Sequence, residues 1–262
     1  AYGQGGMPMA CMGIAAADFD GNLLMDLHIT NFENLWSNLL MQNASGVFSD
    51  LVVSYGLDAL TRNMLGFGTQ AIDYDNNSTW DLVTGNGHIE DFSERGIDFE
   101  MRSQLLVRSG SQFREATVDG DDDYWQTGHL SRGMARCDWN RDGRVDVVVT
   151  DLKKNVALLE NRTDSTSHFL QLELVGSRSE RDAIGANVTI RCNDQTWAAT
   201  VQTGDGYLSR NENVLCFGLG DYQQVDAVEI TWPSGESQTF EQLSVDSRFL
   251  IIEDEDSVWK RW

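Results

Sequence analysis

An acidic nine-residue pattern recurs three times within the first 146 residues of the chain. It reads Asp18-Phe-Asp20-Gly-Asn22-Leu-Leu24-Met-Asp26, then Asp73-Tyr-Asp75-Asn-Asn77-Ser-Thr79-Trp-Asp81, then Asp138-Trp-Asn140-Arg-Asp142-Gly143-Arg144-Val-Asp146. Each copy places an oxygen-bearing side chain at positions 1, 3, 5 and 9, with the backbone carbonyl of Leu24, Thr79 or Arg144 available at position 7. Carboxylates crowded on a tight turn repel one another unless a hard cation sits between them, and Ca²⁺ takes about six to eight oxygens at roughly 2.3–2.6 Å from such loops. Turns favour Asp and Asn for conformational reasons alone. Three matched copies are harder to explain that way. Each is preceded by a glycine five residues earlier (Gly13, Gly68, Gly133) and followed by an apolar run. Gly143 supplies the permissive backbone at position 6, where the loop turns sharply, whereas Leu23 and Ser78 stand there in the other copies. The third loop is therefore expected to hold Ca²⁺ most tightly, with Asp146 as its bidentate closing ligand.

The first Asp of each copy falls at 18, 73 and 138, a spacing of 55 and then 65 residues. Periods of this size mark propeller or solenoid arrays. Strand-like runs follow each loop: Leu27–Thr30, Asn38–Gln42 and Val47-Phe48; Leu82–Thr84, Gln104–Val107 and Gln112-Phe113; Val147–Thr150 and Ala157–Glu160. A propeller blade needs four short strands. The stretch from Asn86 to Arg102 reads as an inserted loop. Beyond about Thr163 the acidic pattern stops, and alternating runs at His168–Val175, Ala186–Arg191, Trp197–Gln202, Val214–Phe217, Ala227–Trp232 and Phe249–Ile252 are separated by turn signals. The expected fold is all-β: propeller-type blades over residues 1–163, an incomplete set at three units, then a small β-sandwich or barrel over 164–262.

The 41 Asp and Glu against 19 Lys and Arg give a formal charge of −22, which argues against binding a nucleic-acid backbone. No apolar run approaches the ~20 residues of a membrane-spanning helix. Loops of this kind fill usefully where free calcium is high, outside the cytosol, so an extracellular or cell-surface location is expected. Of four cysteines, Cys192 and Cys216 are the preferred disulfide, while Cys11 and Cys137 read equally as free thiols. Four scattered histidines (His28, His88, His129, His168) form no catalytic constellation. His88, in Gly-Asn-Gly-His, is the best candidate for more than a surface role. Asp121-Asp-Asp123 reads as a solvated loop, and Trp80 and Trp139 are expected to pack between blades.

The chain resembles the cartilage acidic protein group, whose members carry calcium-binding FG-GAP (VCBS-type) repeats followed by a C-terminal ASPIC/UnbV domain. The residues that carry the resemblance are Met12-Gly13-Ile-Ala-Ala-Ala-Asp18-Phe-Asp20, Gly85-Asn-Gly-His88, Arg132-Gly-Met-Ala135 and Leu158-Leu-Glu-Asn161. In the C-terminal half they are Gly185-Ala-Asn-Val188, Gly204-Asp-Gly-Tyr-Leu-Ser209, Phe217-Gly-Leu-Gly220 and Trp232-Pro-Ser-Gly235. The resemblance implies a secreted or surface-exposed, calcium-bound β-propeller with a β-rich appendage, and no enzymatic reaction. The functional expectation is a non-catalytic extracellular calcium-binding module for adhesion, protein interaction or surface assembly. Its partners would be other subunits or the remaining blades, with carbohydrate a further ligand class. The alternative is a lyase-like, polysaccharide-active enzyme or carbohydrate-binding subunit. A chain so poor in basic groups would repel acidic sugars, which favours the binding module.

Overall fold

The computed structural model describes residues 6, 8–118 and 124–262. The first acidic loop joins β1 (Cys11–Ala17) to β2 (Asp26–Asn31), and β3 (Asn38–Ala44) and β4 (Val47–Asp50) complete a four-stranded antiparallel sheet in chain order. A short helix, α1 (Leu57–Thr61), leads to the second unit. There β5 (Gly66–Ile72), β6 (Asp81–Asn86), β7 (Gln104–Ser109) and β8 (Gln112–Glu115) repeat the same meander. The third unit has three strands, β9 (Ser131–Cys137), β10 (Asp146–Asp151) and β11 (Ala157–Leu159). In all three, position 9 of the acidic pattern is the first residue of the second strand. The Asp121–Asp123 run lies outside the described residues.

The strand before each loop was not read from the sequence, and the glycines explain why. β1, β5 and β9 are rich in Gly and Ala and lack the apolar alternation that marks an ordinary strand. They are the strands along which the units meet. A Cβ at Gly13 would run into the carbonyl of Phe67 on β5, and one at Gly68 into the backbone of Arg132 on β9. Small residues here let one backbone lie against the next. On the corresponding side of Gly133 the neighbour is the carbonyl of Tyr207, 3.5 Å from where a Cβ would stand.

Two open sheets form the C-terminal part, and they share one apolar core. One runs β15 (Leu215–Gly220), β12 (His168–Val175), β18 (Ser247–Ile252), β19 (Val258–Lys260). The β12–β18 pair in it is parallel. The other runs β14 (Gln195–Thr200), β13 (Asn187–Cys192), β16 (Gln224–Thr231), β17 (Ser237–Ser244). Leu170, Leu172, Val188, Ile190, Val228, Ile230, Trp232 and Ile251 are fully or almost fully buried between them. Each such aliphatic side chain contributes about 1.5–3 kcal/mol. The arrangement is that of a sandwich and not of a closed barrel.

A loop from this sandwich reaches into the three-unit array. Ile14 of β1 and Gly206 bond each other's backbone, Ile14 N donating to Gly206 O at 3.0 Å. The Ser209 hydroxyl donates to Met134 O of β9 at 2.7 Å, and Arg136 N of β9 donates to Asn211 Oδ1 at 2.9 Å. Asn211 Nδ2 also reaches Gln70 Oε1 of β5 at 3.0 Å. One connecting segment thus touches the first strand of every unit.

Two expectations are corrected. The Cys192–Cys216 disulfide is absent, and all four cysteines are free thiols. The two lie in different sheets: Cys192 on β13 faces the sandwich core, while Cys216 on β15 packs against the apolar cluster shared by the second and third units. Burial pushes their thiols up to about 11 and about 12. Trp139 does not pack between units, being 69% exposed. Trp80 is partly buried against the core shared by the first two units.

Candidate functional site

The three acidic loops share one backbone conformation. Position 4 is left-handed in each (Gly21 φ 78°, Asn76 φ 58°, Arg141 φ 62°), and so is position 6 (Leu23 φ 66°, Ser78 φ 70°, Gly143 φ 82°). Leu23 and Ser78 therefore adopt the turn that glycine adopts in the third loop, although L-residues disfavour it. The carboxylate at position 1 explains how they are held there. Asp18, Asp73 and Asp138 each accept the backbone N–H of position 6, at 2.8, 2.8 and 2.9 Å, and that of position 5, at 3.1, 2.9 and 3.1 Å. At position 5, Asn22, Asn77 and Asp142 accept the N–H of position 7, from Leu24, Thr79 and Arg144, at 2.8–2.9 Å. At position 3, Asp20 and Asn140 accept the position-5 N–H at 3.2 Å.

Position 9 anchors each loop to the third strand of its sheet or the segment just beyond it. Asp26 accepts Gln42 N, Asp81 accepts Arg108 N and Asp146 accepts Asn161 N, each at 2.7 Å. All three carboxylates are buried. A buried carboxylate is costly unless it is paired or ligates a metal. The backbone bonds repay part of that cost.

The loops differ in how they gather their acids. In loop one, Asp18, Asp20 and Asp26 bring ligand oxygens within 4.8 Å of one another, and in loop two Asp73, Asp75 and Asp81 do the same. Loop two is the more deeply set. Asp81 Oδ2 and Asp75 Oδ1 are buried without a hydrogen-bond partner. Burial, reinforced by the charges of Asp75 and Asp81, pushes the Asp73 carboxyl up to about 8, and burial pushes Asp81 up to about 7. Asp26 rises to about 6 for the same reason, with Asp20 and Asp18 adding to it. Burial also raises Asp18 and Asp146.

Loop three is arranged differently. Asn140 stands at position 3 in place of a carboxylate. Asp142 is drawn into an ion pair with Arg144 and accepts Asn140 Nδ2 at 2.8 Å. Asp138 Oδ2 accepts Gln171 Nε2 of β12 at 2.9 Å. A guanidinium and an amide thus stand against two carboxylates of the loop that glycine made most prominent in the sequence. The acids of loop three do not form a cluster of the kind seen in the other two.

Sequence reasoning missed that the loops face the C-terminal sandwich. Ser78 Oγ donates to Gly218 O at 2.9 Å, Gly220 N donates to Asn76 O at 2.8 Å, and Ser165 Oγ donates to Asp75 O at 2.6 Å. A Cβ at Gly218 would collide with the Asp73 carboxylate, and one at Gly143 with the Phe169 ring. The glycines of Phe217-Gly-Leu-Gly220 were the visible signal, since a strand that lies against another backbone must be bare on that side. His88, by contrast, is buried between the rings of Phe32 and Phe92, with Glu33 at 3.7 Å from Nε2. It lines none of the loop sites.

Fold and loops together define an all-β protein of repeated acidic-loop sheets joined to a β-sandwich. Residues 176–258, most of that sandwich, match the family described as ASPIC and UnbV. A comparison with curated proteins gives no match.

Proposed function

We propose that the chain is a non-catalytic, extracellular calcium-binding module. In this reading three propeller-type units carry an ASPIC/UnbV domain, and ions in the acidic loops of the first two units organise them. The module serves adhesion or surface assembly with neighbouring subunits or further blades. The observation that carries the reading is in loop two, where buried, unpartnered oxygens of Asp75 and Asp81 lie beside Asp73. The donor set is all oxygen, and three acids at that spacing suit a hard divalent cation such as Ca²⁺. Asp73, Asp75, Asn77, Asp81 and the Thr79 carbonyl would hold it. Asp18, Asp20, Asn22, Asp26 and the Leu24 carbonyl would hold a second.

An ion bound there neutralises crowded carboxylates and fixes the turn that orients the first two strands of the unit. The extracellular reading rests on acidity and on the calcium loops alone, because free thiols remove disulfides from the argument. Among the described residues no strand pairs with the outer edges of β4 and β11, and open edges invite pairing with another chain. Melting and light scattering, each in millimolar Ca²⁺ and then in chelator, test the proposal. Ligand binding adds RT ln(1 + [L]/Kd), about 2.7 kcal/mol at a hundredfold excess over Kd, so the melting temperature should rise clearly with Ca²⁺. An unchanged melting temperature would sink the cation. A monomer of 29.3 kDa under both conditions would sink the calcium-dependent assembly.

A further inference from the structure

Asp18 and Asp20 of loop one and Asp73 of loop two open on one cavity of about 210 Å³. Its facing wall is β14 of the sandwich, with Thr196 and Trp197, and Trp80 also lines it. A second cavity of about 300 Å³ adjoins it, sharing Asp18, Trp80 and Ala198. The two lobes form a cleft between the acidic loops and the C-terminal domain, the kind of domain boundary where ligand sites concentrate.

We propose that this cleft binds a neutral saccharide, held by hydroxyl oxygens on the loop-one cation and by ring stacking on Trp80 and Trp197. The inference rests on the cation reading above and deepens it by naming a ligand class. Three features point the same way.

Loop one fills at most the smallest calcium shell alone. Asp26 gives one oxygen to Phe19 N at 2.8 Å and the other to Gln42 N at 2.7 Å, so each keeps a single lone pair for an ion. Even with Asp26 bidentate, Asp18, Asp20, Asn22 and the Leu24 carbonyl bring the count only to about six, the low end of the roughly six to eight oxygens that Ca²⁺ takes. The tip from Asp20 to Leu23 is exposed, and further oxygens come from outside the loop.

Charge selects against acids. Three carboxylates and one divalent ion leave each loop at −1; Arg108 and Arg136 line the two lobes, but Asp205 and Glu212 line them as well, so the cleft stays negative. A uronate or phosphate would enter a site that is still negative within a strongly acidic protein, whereas neutral hydroxyls carry no such penalty.

Trp80 and Trp197 are both partly exposed, and the Trp197 ring is held edge-on by Tyr222, centroids 5.7 Å apart. Trp80 packs on the core of the first two units, with the Arg136 guanidinium 6.0 Å from its ring centroid. Indoles held by their neighbours suit the C–H face of a sugar ring, with low ordering cost on binding.

The test is binding of the full chain to an array of neutral mono- and oligosaccharides, in millimolar Ca²⁺ and in chelator. Melting with and without Ca²⁺ is recorded in parallel. Binding that needs Ca²⁺, and that drops at least tenfold in Trp197→Ala and in Thr196→Arg while the calcium-dependent melting shift persists, supports the proposal. Thr196→Arg fills the cleft without removing core volume, so it covers the case in which Trp197→Ala does not fold. A retained melting shift with no sugar bound overturns the saccharide and leaves the cation standing. Sugar binding that survives chelation overturns the cation-held mode. Loss of the melting shift in the wild-type chain removes the cation and this inference with it.

Discussion

Asp81 sits where two requirements conflict. Its Oδ1 accepts Arg108 N and pins the loop to β7, while its Oδ2 is buried beside two other acids with no well-formed hydrogen bond, the Tyr74 N–H being its one nearby donor. Asp81→Asn keeps an oxygen for Arg108 and removes a crowded charge. The variant is therefore expected to melt at or above wild type in chelator and clearly below it in millimolar Ca²⁺. Curves that keep the same order in both conditions would contradict the site. Glu253 shows the opposite solution to burial, with no metal. It accepts the N–H groups of Ser177, Arg178 and Ser179 at 2.6–2.9 Å and the hydroxyls of Ser179 and Ser234 at 2.9 and 2.6 Å. Burial alone would raise its carboxyl, but these bonds together hold it at about 2 against the usual 4.5. A depressed carboxylate stabilises fully above its unfolded value and loses that contribution as pH falls. The advantage of wild type over Glu253→Gln should thus be full above about pH 4.5 and vanish towards pH 2. Urea unfolding across that range reads it, and a pH-independent difference would refute the assignment.

Among the elements, the strands that follow each loop were legible because their apolar runs are ordinary, and so were most of the sandwich strands. β1, β5 and β9 were hidden by composition: Cys-Met-Gly-Ile-Ala-Ala-Ala and its counterparts carry too few large apolar groups to show a period. β17 was hidden for another reason, its polar Ser237-Gln-Thr-Phe-Glu-Gln-Leu-Ser244 burying little beyond Phe240 and Leu243. The glycines do in contact what large side chains do elsewhere. Gly13→Ala would press a methyl into the Phe67 carbonyl, and overpacking of this kind costs about 1–3 kcal/mol. The upper end is expected, because the obstacle is backbone and cannot turn aside. A loss within about 0.5 kcal/mol, the range of ordinary surface changes, would mean that the units do not pack as described.

For the whole molecule, the segment from Asp205 to Glu212 links the two halves. It bonds β1 through Gly206, β5 through Asn211 and β9 through Ser209, and Glu212 N donates to Arg136 O at 3.0 Å. Opening the sandwich would withdraw a neighbour from all three units at once. Calorimetry of the full chain should therefore give one cooperative transition, whereas two well-separated endotherms would show that the segment transmits little. Arg248 adds to the tie, its guanidinium meeting Glu212 at 2.7 Å.

The sequence by itself determined the class of fold, the three loops and the residues in them. These are local properties: alternation, turn chemistry and charge spacing are written within nine or ten residues. It did not show which loops gather their acids. Gly143 marks an easy turn, yet the partners that decide the matter, Arg144 pairing with Asp142 and Gln171 reaching Asp138 from β12, depend on side-chain direction and on a strand about thirty residues away. It also paired two cysteines that tertiary structure sends to different cores. What only the folded chain decided is which surfaces face each other. The loops meet the sandwich because bare glycines on β15 let its backbone lie against Asp73, and no local pattern in either segment names the other.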